Sequence, residues 1–89
     1  MNEANEAIDH SIYHLGRARK AANPFAGVVR AHRCLITARD AYRDACEIVP
    51  LTLCSARSIL ETALSTPEED PGTLIDAALA QLGPATPGM

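Results

Sequence analysis

Four polar side chains near the start of the chain fall at the spacing that a metal ion asks of a helix. Glu3, Glu6, His10 and His14 follow one another at intervals of three or four residues. On a helix they share one face, and two histidines at i and i+4 can close on a single ion with Glu6 as a third ligand. No second helix rich in Glu or His supplies a fourth. The expectation is therefore a solvated polar face, with Glu6, His10 and His14 the residues to check for an incidental surface zinc or nickel, and no cofactor is called for. Other catalytic patterns are missing. Gly16, Gly27, Gly72, Gly83 and Gly88 stand alone, so neither a phosphate-cradling loop nor a nucleophile elbow is present. Ser55 and Ser58 have no histidine near them in sequence. Cys34, Cys46 and Cys54 are odd in number and lack CxxC spacing, which suits reduced, packed thiols better than a disulfide scaffold or a zinc knuckle. An enzyme is not expected.

Arginine is the more telling residue. Lys20 is the one lysine among eight basic residues, and arginine forms the planar two-point contacts with carboxylates and phosphates that favour it at interfaces. A GC-rich coding sequence would raise Arg and Ala together, so abundance alone decides nothing; position decides more. Arg17, Arg19, Lys20, Arg30 and Arg33 occupy a stretch with no acid, whereas Glu61, Glu68, Glu69, Asp70 and Asp76 occupy one with no base. The net charge of −3 thus hides two opposed blocks.

These side chains have to be carried by helices. Sixteen alanines in 89 residues, with no Trp and only Phe25, Tyr13 and Tyr42 as aromatics, give high helix propensity and a core of small volume. No stretch alternates with period two, so no strand is required. Proline and glycine divide the chain. The spacing predicts a first helix over 3–22, stopped by Asn23, Pro24 and Gly27; a second over 28–49, ended or kinked by Pro50; and a third over 51–65. Thr66, Pro67, Glu68 and Glu69 read as a helix start that Asp70, Pro71 and Gly72 interrupt after one turn. A short helix over 73–82 follows, closed by Gly83 and Pro84. Residues 1–83 then form a single helical domain, and 84–89 a loose C-terminal tail.

Heptad spacing sets how the helices meet. Ala31, Ala38 and Ala45 form a small row beside Leu35, Tyr42 and Val49, and Ala4, Ser11 and Ala18 match them beside Ile8, Leu15 and Ala22, with Ile12 adjacent. Leu53, Ala56, Leu60 and Ala63 give a shorter copy. Small residues at this repeat let helices approach closely at a shallow angle. The fold class expected is all-α, a small helical bundle built on an antiparallel Ala-rich hairpin. Such a hairpin brings Arg17, Arg19 and Lys20 beside Arg30 and Arg33 as one basic end, with Glu3, Glu6 and Asp9 near Asp44 and Glu47 at the other. The first helix has its charges in the order the helix dipole favours. The second has Arg30 and Arg33 early and Asp44 and Glu47 late, against its dipole, which suggests an external partner or the acidic third segment.

An acidic start without an apolar run does not read as a signal peptide, and the longest uncharged apolar stretch, 48–56, is short and contains Pro50, so a cytosolic setting without membrane contact is expected. The function expected is that of a small protein-binding module that regulates or inhibits a larger partner, in the manner of antagonists encoded by phages or mobile elements, with a homodimer as a further partner state. Arg30, Arg33, Ile36, Arg39 and Arg43 on the second helix are the expected contact surface. Nucleic-acid contact through the basic end from Arg17 to Arg33 is the first alternative, disfavoured by the scarcity of aromatic platforms. The second is the surface His/Glu metal site.

Overall fold

The computed structural model describes residues 2–66, 68 and 70–82. Four helices account for nearly all of them: α1 (Asn2–Lys20), α2 (Pro24–Asp44), α3 (Leu51–Ser65) and α4 (Pro71–Leu82). No strand occurs among the described residues. The expected tail over 84–89 lies outside them.

Local chemistry fixes each boundary, and two prolines act as helix starters where breakers were expected. Asn23 has extended backbone and its Oδ1 accepts from the Phe25 N–H at 3.2 Å, while Pro24 takes the first helical position. Proline has no N–H to leave unsatisfied there, so α2 begins at Pro24 and not at Val28. Asp70 does the same for α4. Its carboxylate accepts from the Gly72 N–H at 3.1 Å and the Thr73 hydroxyl at 3.3 Å, and Pro71 opens the helix that was expected from Thr73. Thr66 closes α3 and does not start a new turn: its N–H and its hydroxyl both donate to the Thr62 carbonyl, at 3.0 and 2.7 Å. Pro67 and Glu69 of that expected start signal lie outside the described residues.

The second helix ends earlier than Val49. Cys46 adopts φ 59°. With the chain turned there, the Cys46 N–H donates to the Arg43 carbonyl at 2.9 Å and the Glu47 N–H to the Tyr42 carbonyl at 2.8 Å. This pair of bonds is the Schellman closure, which satisfies carbonyls that would otherwise lack partners. Pro50 therefore neither kinks nor ends α2; it precedes α3 in extended conformation. Ala45, expected to continue the small row, is exposed, and so is Ala22. Val49 still packs against the core, from the connecting segment.

Within these corrected limits the heptad rows form the core. Ala4, Ser11 and Ala18 of α1 and Ala31 and Ala38 of α2 are buried, with Leu15 and Leu35 between them. Ser11 satisfies its buried hydroxyl by donating to the Ile8 carbonyl at 2.7 Å. Leu53, Ala56, Leu60 and Ala63 of α3 meet Ile75, Ala78 and Leu82 of α4. α1 packs most extensively on α2 and α3 on α4, so the bundle is two hairpins joined by smaller α2–α3 and α1–α4 contacts. Gly27 sits inside α2, not in the turn. A Cβ there would come within 2.7 Å of the Ala18 Cβ and 3.1 Å of the His14 carbonyl oxygen, so its missing side chain sets the distance between α1 and α2.

Candidate functional site

The basic end is built from the last turn of α1 and the second turn of α2. Arg17, Arg19 and Lys20 stand where the exposed carbonyls of α1 favour cations. Arg17 donates to the Tyr13 hydroxyl at 3.0 Å, its guanidinium 5.7 Å from the Tyr13 ring centroid. The Tyr13 ring in turn meets the His14 ring edge-on at 5.5 Å. Across the turn, Arg30 joins Arg17 and Lys20 around an open concavity of about 430 Å³ that also takes in Tyr13, His14 and Asn23. Arg33, expected beside them, does not line it. Arg19 leaves the cluster and pairs with Asp76 of α4, Nε to Oδ1 at 2.7 Å. Among the described residues, the acidic block of the chain thus answers the basic block at one point. Among the described residues, Lys20, Arg30, Arg33 and Arg43 have no carboxylate within ion-pair distance.

The outer face of α2 is the second part of the candidate surface. Arg33 and Arg43 are exposed, and Ile36 between them is half-buried, outside the hydrophobic core and its packed margin. Arg39 is less available than expected. It turns onto its neighbour Asp40, Nη2 to Oδ1 at 3.1 Å and Nε to the same oxygen at 3.3 Å. Arg30 lies further round the helix, towards the turn. The dipole conflict expected of α2 largely disappears, because a helix beginning at Pro24 places Arg30 and Arg33 beyond its first turn, where the effect has decayed. Arg43 stands in the last turn beside Asp44, and Glu47 lies past the end.

Several side chains depart from their sequence-based positions. His32 keeps only 17% of its side chain exposed and sets Nε2 3.2 Å from Glu61 Oε2 on α3. Arg57 Nη1 donates to the same oxygen at 3.1 Å, leaving its own Nε buried without a partner. This cluster bridges the two hairpins. The metal candidates are not assembled: Glu6 and His10 are exposed, and His14 is half-buried against Tyr13 in the basic concavity. No group of three or more His, Cys, Asp or Glu side chains is gathered for an ion among the described residues. All three thiols are free, and burial pushes the Cys34 thiol above its ordinary pKa.

Sequence reasoning missed four exposed apolar side chains. Tyr13 is 57% exposed, Val29 37%, Ile48 93% and Leu51 82%. Val29 carried a readable signal, since it stands one heptad before Ile36 on the same face. Ile48 and Leu51 carried none, because their exposure follows from the early end of α2.

These features define a small four-helix bundle with an arginine-rich, partly apolar face and a basic turn. Comparison with protein-family models, curated proteins and solved structures finds no match. No helix among the described residues is long and apolar enough to cross a membrane.

Proposed function

We propose that this chain is a small cytosolic protein-binding module that regulates or inhibits a larger partner by covering part of its surface. The observation that carries the reading is the outer face of α2. Val29, Ile36 and Arg43 follow one another at heptad spacing, Val29 and Arg43 exposed and Ile36 half-buried, with the exposed Arg33 beside them and no carboxylate paired to Arg33 or Arg43 among the described residues. Arginine is enriched at protein interfaces over the remaining surface, and the apolar Val29 and Ile36 beside it offer area that a partner can bury. A thin Ala-built core supports the same reading, since a small domain gains stability when a partner covers an apolar stripe. A second copy of the chain is one such partner; an antagonist's target is another.

Site-specific photo-crosslinking tests the assignment. A benzophenone amino acid at position 36 is expected to crosslink to a partner in cells that carry the protein, while the same group at position 55, on exposed Ser55 of α3, is not. Equal crosslinking from both positions, or none from position 36, contradicts the assignment of this face.

A further inference from the structure

Two glycines lie inside the long helices, and the structure accounts for only one of them. Gly27 is needed because α1 and α2 touch there. Gly16 is different: a Cβ added to it meets no atom of the described residues within 4 Å beyond its own helix surroundings. Glycine destabilises a helix interior relative to alanine, and no described residue uses the space that the missing side chain of Gly16 leaves, so the position is open to another group.

The surroundings of Gly16 indicate what approaches. It lines an open groove between α1 and α4 of about 580 Å³, with Ile12 and Leu79 as apolar walls. Both side chains are partly buried against the core, so the walls are held in place. Arg17, Arg19 and Lys20 form a basic rim on the α1 side, with exposed Tyr13 at one corner. Arg19 is anchored to Asp76 and Arg17 to Tyr13, whereas Lys20 has no carboxylate among the described residues. An apolar slot beside Arg17 and Lys20, the two rim cations that meet no carboxylate of the described residues, matches an aliphatic side chain flanked by carboxylates.

We infer that the α1–α4 groove docks an acidic segment of a protein partner, with a leucine-sized side chain seated over Gly16. The inference rests on the protein-binding reading but uses a separate surface, since no residue of α2 lines the groove.

Fluorescence anisotropy tests it with a fluorescein-labelled peptide of Glu and Asp bearing leucines at heptad spacing, beside the same peptide with serine for leucine. The full chain is expected to bind the leucine peptide and not the serine peptide. Gly16→Leu should weaken binding about tenfold or more because it fills the slot, and Lys20→Glu by a similar factor because it sets a like charge against the acidic peptide. Gly16→Ala should raise the melting temperature and weaken binding by a smaller factor, which separates groove filling from misfolding. Ile36→Asp should leave peptide affinity unchanged, so failure of the α2 face and failure of the groove are told apart. The inference is overturned if the leucine peptide does not bind, if the serine peptide binds equally, if Gly16→Leu binds like the unaltered chain, or if an oligonucleotide displaces the peptide from Lys20 without dependence on Gly16.

Discussion

Cys46 occupies a backbone position that glycine usually fills. At φ 59° its Cβ crowds the following carbonyl, a cost of about 1–2 kcal/mol for an L-residue that the two closing hydrogen bonds of α2 offset. Cys46→Gly should therefore stabilise the fold by about 1 kcal/mol, read as a rise of roughly 4–8 °C in thermal unfolding. Thiol chemistry follows the same local differences. Cys46 is exposed and should react first with a disulfide reagent; Cys34, half-buried and held protonated by burial, should react slowly and speed up on unfolding. The raised Cys34 pKa also sets the sign of a pH effect. The folded chain holds that proton more tightly than the unfolded one, so the contribution is full below the ordinary thiol value of about 8.5 and is lost as pH rises through the raised value. Denaturation midpoints compared between the unaltered chain and Cys34→Ala across alkaline pH should show a steeper decline in the former.

At the scale of elements, the close approach of α1 and α2 through Gly27 makes the sharpest forecast. Gly27→Ala gains helix propensity but forces the helices apart against the Ala18 Cβ, and should cost about 1–2 kcal/mol in a denaturant titration. Asp70→Ala, which removes the side-chain acceptor at the start of α4, should cost about 1 kcal/mol by the same measurement. Helix number, order and packing faces were legible in the sequence because the alanine and leucine rows repeat at seven residues. Boundaries were less so, since proline and glycine carry two meanings. Pro24 and Pro71 look like breakers unless the preceding Asn or Asp is read as a cap, and Gly27 looks like a turn unless Ala18 is known to face it. The early end of α2 was illegible, because a cysteine in left-handed backbone leaves no compositional mark.

For the whole molecule, the two charge blocks turn out to be mostly solvated surfaces and not a mutual clamp. Only Arg19 and Asp76 meet among the residues of the two blocks described, and an exposed pair of this kind contributes at most about 1 kcal/mol, so Asp76→Asn should lower the thermal midpoint by no more than roughly 4–8 °C. The arginines of the candidate face were legible by type and helical position; which of them would be tied to internal carboxylates was not, because Arg39 meets its own neighbour and Glu61 is taken by His32 and Arg57. The arginines that meet no carboxylate among the described residues, with Val29 and Ile36, make up the proposed contact face. Affinity capture from cells that carry the protein, quantified by mass spectrometry for the unaltered chain beside Arg33→Glu combined with Ile36→Asp, addresses that claim most directly. The expected result is a partner retained by the unaltered chain and lost by the variant, with both folded to the same helical content; equal recovery of every captured protein by the two chains would contradict it.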